Sequence, residues 1–221
     1  MKNPEPQIIF EDTELLVLDK PAGLTVHGGV KTGHTLTDFL STHLPHSLLA
    51  DQNYGLLHRL DRDTSGLILV AKTPESFAYY RSLFKRREIH KEYLVLLCGR
   101  LEPATGSIQL PLGRSSHRRT QFAVVHNGRP SETNYEVIEH LAKFTYLKAF
   151  PATGRTHQIR VHFASLGFPV AGDRTYGSSE SGLSRQFLHA HRLNFVNMEG
   201  KSVSFVSELP TDLKNYLHGV S

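Results

Sequence analysis

His58-Arg59-Leu60-Asp61-Arg62-Asp63-Thr64-Ser65-Gly66 runs directly into Leu67-Ile68-Leu69-Val70. The octet from Arg59 to Gly66 packs two carboxylates, two guanidinium groups and two hydroxyls ahead of an unbroken apolar run. That pattern reads as a functional loop leading into a buried strand. Working outward, Ile8-Ile9-Phe10 and Leu15-Leu16-Val17-Leu18 flank the polar Glu11-Asp12-Thr13-Glu14 and predict a hairpin, and Tyr93 to Leu97 predicts a second buried strand. Further strands are expected at 133–138, 145–150, 193–196 and 203–206. Three helices carry start signals: Thr35 with Asp38 ahead of Leu36, Phe39, Leu40 and Leu44; Thr73-Pro74-Glu75 ahead of Phe77, Tyr80 and Phe84, closing on Lys85-Arg86-Arg87; and Thr156 to Leu166, ending at Gly167. Strands interleaved with a few helices, without βαβ alternation, predict an α+β fold: a mixed, mostly antiparallel sheet flanked by helices and loops. No internal repeat, low-complexity tract or long linker interrupts the 221 residues, so residues 1–221 are expected to form a single domain.

Three chemistries can be tested against the acidic loop. A calcium-binding EF-hand matches Asp61, Asp63, Ser65 and Gly66, but its twelfth position needs a bidentate Glu and holds Lys72. A phosphate-binding P-loop at Gly200-Lys201-Ser202 needs a glycine at position 195, which is Phe195. Zinc needs a ligand set that one cysteine and scattered histidines do not supply; His157 and His162, five apart, do not share a helix face. No metal is expected. The residues alone leave open whether Asp61 and Asp63 do chemistry or simply cap a turn.

The net charge of +4 conceals an asymmetry. From Arg81 to Pro130 there are ten Lys or Arg residues against three acids, so that stretch is +7 and the remainder is −3. Concentrated positive charge is the footprint of a phosphate-binding surface, although a solvated helix face has the same composition. Cys98, the only cysteine, lies beside Leu94-Val95-Leu96-Leu97 and is expected to be a buried strand thiol. No secretory leader and no apolar run of membrane-spanning length is evident, which predicts a cytoplasmic protein without a membrane partner.

His58-Arg59-Leu60-Asp61-Arg62-Asp63-Thr64-Ser65-Gly66-Leu67 resembles the signature of the RluA family of pseudouridine synthases. Lys91-Glu92-Tyr93 is similar to that family's Lys-x-Tyr element. Thr153-Gly154-Arg155-Thr156-His157-Gln158-Ile159-Arg160-Val161-His162 is similar to its third motif, and Lys20-Pro21-Ala22-Gly23-Leu24 with Val26-His27-Gly28-Gly29 to its early loop. The similarity runs from about residue 8 to about residue 208, with the motifs in the family's order. The resemblance implies the pseudouridine synthase fold and a base-flipping isomerase that turns uridine into pseudouridine in structured ribosomal or transfer RNA. It implies no cofactor, since the base detaches, rotates and rejoins through carbon 5 without redox or phosphate energy.

The resemblance also distributes roles. Asp61 is the catalytic nucleophile, Arg160 pairs with that carboxylate, Tyr93 stacks on the uracil and serves as a proton-transfer partner, and Ile159 lines the base pocket. Arg59 fills the gap left by the flipped base, a task suited to a planar guanidinium, and His58 either assists with a phosphate or packs. Arg114, Arg118 and Arg119, in the basic stretch between two strand-like runs, form a projecting loop that grips the RNA backbone, and Lys85-Arg86-Arg87 extends that surface. Asp63 is a structural member of the turn. Some relatives carry a small RNA-binding domain ahead of the catalytic one; this sequence starts a few residues before its first strand, so recognition is expected within the catalytic domain, or in a part of the protein outside this sequence, with the protein acting as a monomer. The competing readings are a non-catalytic RNA-binding protein that keeps the fold, and a phosphotransferase or hydrolase with Asp61 and Asp63 around magnesium.

Overall fold

The strand fed by the acidic loop, β3 (Ser65–Ala71), is buried at every position, so it must be covered on both faces. The structure, a computed structural model, describes residues 4–28, 34–44, 53–116, 118, 120–177 and 182–220. It divides into two compact units, one of residues 1–90 with 190–208 and one of residues 91–189 with 209–221. In the first, β1 (Gln7–Glu11) and β2 (Leu15–Lys20) form the expected hairpin. β2 continues antiparallel onto β3, with Leu15 opposite Ala71 and Lys20 opposite Gly66. Beyond β3 lies β10 (Leu188–Val196), on which β11 (Ser202–Val206) folds back antiparallel.

Period-two alternation sorts the first unit's apolar residues onto two faces. Leu15, Val17, Leu67 and Leu69 form one core with Leu193, Phe195, Ile89 and, from α2 (Pro74–Arg86), Tyr80 and Leu83. Leu16, Leu18, Ile68 and Val70 point the other way and are equally buried. Each such side chain taken out of water contributes about 1.5–3 kcal/mol before entropy is counted. α1 (Leu36–His43) starts with the expected box: Asp38 N–H donates to Thr35 Oγ1 at 3.2 Å and Thr35 N–H donates to Asp38 Oδ2 at 2.8 Å. α2 starts with a Thr73/Ser76 box and stops at Arg87, which turns into the left-handed region at φ 62°.

The second unit is an antiparallel ladder in the order β4 (His90–Cys98), β9 (Phe144–Pro151), β8 (Thr133–His140), β5 (Thr105–Ile108). α3 (Gln158–Ser165) packs on β8 and β9, with Phe163 fully buried against Tyr135. β6 (Leu112–Arg114) and β7 (Phe122–Val124) form a separate hairpin, and α4 (Thr211–Val220) closes the chain. α4 is tied down by Arg185, whose Nε and Nη2 donate to Asp212 at 2.7 and 3.0 Å. Among the described residues no helix is long and apolar enough to cross a membrane.

Four expectations need correction. The third helix begins at Gln158, not Thr156, because His157 has φ 56° and a left-handed residue cannot belong to a right-handed helix. That helix ends at Ser165, one residue before the expected Leu166, which is its exposed cap ahead of the left-handed Gly167. Cys98 is half-buried, being the final residue of β4, where the strand leaves the ladder's interior. The strand expected at 133–138 continues to His140, past a bulge between Val137 and Glu139 that turns Ile138 out to solvent.

Gly66 has φ 113°, and a Cβ there would collide with the backbone of Ala190. Gly66→Ala is therefore expected to lower stability by about 3 kcal/mol or more. Urea unfolding measures it, and a loss under about 1 kcal/mol would show that the two backbones can separate.

Candidate active site

Lys20 ends β2 fully buried, a position in which an ammonium must find acceptors or lose its charge. Its Nζ donates to the carbonyl oxygens of Pro21, Leu24 and Arg62, each at 2.9 Å. The Gly23 N–H donates to the same Arg62 oxygen at 2.9 Å. Two donors thus converge on the residue after Asp61, and the Thr64 N–H donates to Asp61 O at 3.1 Å to close the turn. Upstream, Leu60 is buried, and His58 Nε2 accepts the Leu69 N–H at 3.0 Å while its ring lies 5.1 Å from Phe84. An Nε2 that accepts this bond is unprotonated.

Between these anchors Arg59 is exposed and Asp61 is half-buried. Arg62 Nε and Nη2 donate to Asp63 at 3.0 and 3.1 Å. Asp63 is thus held by its neighbour, as a turn member would be, in an exposed pair contributing no more than about 1 kcal/mol. Asp61 is a half-buried carboxylate on a loop with fixed backbone, and a positioned carboxylate is what a nucleophile or general base requires.

In the second unit Tyr93 is buried opposite Ala149, which in turn faces Tyr135 across the ladder. Tyr135 meets Phe163, so Tyr93 lies on the face that α3 covers. Lys91, two residues before it, donates from Nζ to Thr153 O at 3.2 Å, and burial of its ammonium end pushes the pKa down to about 8. Thr153 Oγ1 donates to Gln158 Oε1 at 2.6 Å, and the Arg155 N–H donates to the same oxygen at 3.0 Å. Gln158 Nε2 donates to Glu132 O and Thr133 Oγ1, both at 2.9 Å. His157 makes no side-chain cap, so Gln158 organises the entry to α3 instead.

The helix then presents Ile159 and Arg160, both buried. Arg160 Nε and Nη2 donate to Asp173 Oδ2 and Oδ1 at 2.7 and 2.8 Å, and its guanidinium carbon lies 5.1 Å from the Tyr176 ring centre. Burial alone would raise the Asp173 pKa. The Arg160 guanidinium outweighs it, helped by the Thr175 and Tyr176 N–H groups, and the net shift is downward. Tyr176 also links outward: its hydroxyl accepts the Phe122 N–H at 2.9 Å and contacts His157 Nδ1 at 2.8 Å.

His58, Arg59 and Asp61 therefore share one loop of the first unit, while Tyr93, Ile159, Arg160, Arg114 and Arg118 belong to the second. Arg114 and Arg118 are exposed at the β6–β7 hairpin, where the Gln121 N–H donates to Arg118 O; Arg119 lies outside the described residues. Lys20 and Gln158 fall within the quoted motifs but carry no role read from sequence, and nothing in the sequence reading names Asp173. A signal existed for Asp173, an acid enclosed by Gly172 and Gly177 after the apolar Val170-Ala171. Among the described residues no three His, Cys, Asp or Glu side chains gather as a metal site.

Residues 14–165 match the family model described as RNA pseudouridylate synthase. The chain is 40% identical over 97% of its length to the ribosomal large subunit pseudouridine synthase D of Nitrosomonas europaea, and spans 65% of that relative. It is 36% identical over 96% of its length to the synthase C of Pasteurella multocida, spanning 67% of it. Among solved structures, human RNA Pseudouridylate Synthase Domain Containing 1 superposes with a TM-score of 0.76 at 28% identity, covering 94% of this chain and 86% of that one.

Asp173→Asn tests the buried pair. With one partner altered, a buried ion pair of this kind loses about 3–5 kcal/mol. Because the Asp173 pKa is lowered by folding, this stability is present above the unfolded carboxyl value, about 3.9, and is lost as pH falls through the folded value. Unfolding curves of parent and Asp173→Asn should differ strongly at neutral pH and converge in acid. Equal stability at pH 7 would remove the pair from the account.

Proposed function

The chain belongs to the RNA pseudouridylate synthase family, and on that premise we propose that it isomerises uridine to pseudouridine in structured RNA. Ribosomal RNA is the first substrate to test, since relatives carry the name of large-subunit ribosomal RNA synthases; transfer RNA is the second. The observation that carries this reading is the loop around Asp61, whose backbone is fixed by Lys20, Gly23 and Thr64 while Asp61 itself is only half-buried.

In the proposed reaction Asp61 attacks at the sugar's anomeric carbon or at the uracil ring. The bond from N1 to the sugar breaks, the base rotates, carbon 5 bonds to the sugar as the bond to Asp61 is released, and carbon 5 gives up its proton as N1 gains one. Atoms balance within the substrate, so no cofactor is required. Tyr93 stacks on the base and takes part in the proton transfer, Ile159 lines the base pocket, and Arg160, held by Asp173, is the arginine that assists the carboxylate. Arg59, exposed on the same loop as Asp61, takes the place of the flipped base; unstacking costs a few kcal/mol, which such a contact offsets. Arg114, Arg118 and Arg119 bind phosphates, and His58 acts as a packing residue of the loop. The same reading has residues 1–221 working as a single catalytic domain, as a monomer in the cytoplasm.

Asp61→Asn keeps the shape of the side chain and removes its nucleophilicity. Pseudouridine mapping of ribosomal and transfer RNA transcripts should show modification by the parent and none by Asp61→Asn, with RNA affinity unchanged within about twofold. Modification by Asp61→Asn at the parent rate would exclude Asp61 as nucleophile. Binding without modification by the parent would favour the non-catalytic RNA-binding reading.

A further inference from the structure

A cleft of about 430 Å³ opens between the β6–β7 hairpin and the turn that enters α3. Arg114, Arg129 and Arg155 line it together with Phe122, and no lining residue is acidic. Resting on the RNA reading above, we propose that this cleft is a subsite for one unpaired RNA nucleotide, held by its phosphodiester.

The three arginines come from separate segments: Arg114 and Arg155 are held through their side chains and Arg129 through its backbone. Arg114 lies with its guanidinium carbon 5.3 Å from the Phe122 ring centre. The Phe122 ring meets His157 edge-on at 5.8 Å, and its backbone N–H is fixed by Tyr176. Arg129 is bridged to β6: its N–H donates to Leu112 O at 2.8 Å and the Leu112 N–H donates to Arg129 O at 3.0 Å. Gly128 makes that approach possible, since a Cβ there would lie 2.7 Å from the Leu112 backbone. Arg155 donates from Nε to Pro130 O at 3.2 Å. Side chains fixed as those of Arg114 and Arg155 are lose little entropy on binding, so more of the electrostatic attraction appears as affinity.

Charge and size together select the occupant. Guanidinium groups match phosphate oxygens in geometry, and an aromatic ring beside them is what a single-stranded site presents to a base. The volume lies in the range of pockets that enclose one small molecule, and a concave site of that size admits a splayed nucleotide but not an A-form helix. Gly154 contributes an open wall, where an added Cβ meets nothing within 4 Å.

Two surface substitutions in the full chain test this, with fluorescence anisotropy of a single-stranded oligoribonucleotide of about twelve nucleotides and of its duplex, over about 50–200 mM salt. Arg129→Ala should weaken single-strand binding about tenfold and flatten the log–log salt slope by about 0.7, the loss of one phosphate contact. Gly154→Leu should weaken it comparably without changing the charge, by filling the opening. Duplex binding should change less than about twofold in both. Unchanged affinity and slope in both variants would overturn the subsite, and so would an equal loss for duplex, which would mark a general basic surface. Isomerisation by the parent is scored separately: if it forms no pseudouridine, the proposed activity fails while the binding comparison still decides the cleft.

Discussion

The buried ammonium of Lys20 is the constraint on which the first unit's Asp61 loop depends. Placing a lysine at the end of a strand with no exposure is unfavourable unless its three donors are met, and here three carbonyls meet them. One of those carbonyls belongs to Arg62, 42 residues away in sequence, so satisfying the charge and fixing the Asp61 loop are the same event. β2 and β3, paired with Lys20 opposite Gly66, bring the two segments together. Gly66 then allows β3 to lie against the backbone of Ala190, where any side chain would intrude.

The second unit uses the same principle with different groups. Gln158, Thr153, Glu132 and Thr133 satisfy one another's donors and acceptors around the entry to α3, and Asp173 holds Arg160 by two short bonds. His162 is similarly enclosed, within 3.1 Å of Ser131, Thr133 and Leu110, with burial holding its pKa down. Polar groups buried at this density are costly unless fully partnered, and when partnered they fix a single geometry. Tyr176 carries that rigidity outward to Phe122 and the basic hairpin.

Much of the fold was legible because the apolar periods and cap signals agree. Leu15 to Leu18 and Leu67 to Val70 could only be buried strands, and Thr35 and Thr73 marked helix starts that the structure reproduces. The start of α3 was misplaced because nothing in Arg155-Thr156-His157 announces a left-handed residue. α4 was missed although Leu213, Tyr216 and Leu217 have helical spacing; its docking depends on Arg185, whose pairing with Asp212 no local pattern reveals. For the site, the motif around Asp61 pointed to the loop. Lys20 and Asp173 stayed hidden because the partners that give them their roles, Arg62 and Arg160, lie 42 and 13 residues away, and a buried lysine or aspartate is indistinguishable in a list of residues from one in solvent.

The anchoring of the Asp61 loop by Lys20 is tested most directly by the isomerisation rate of Lys20→Met at saturating RNA, on protein shown to be folded by circular dichroism. Methionine keeps the apolar stem and removes the three donors. Anchoring predicts a rate about a hundredfold below the parent's, the cost of a reacting group displaced by about 1 Å, with RNA affinity retained. A folded Lys20→Met that turns over at the parent rate would contradict it.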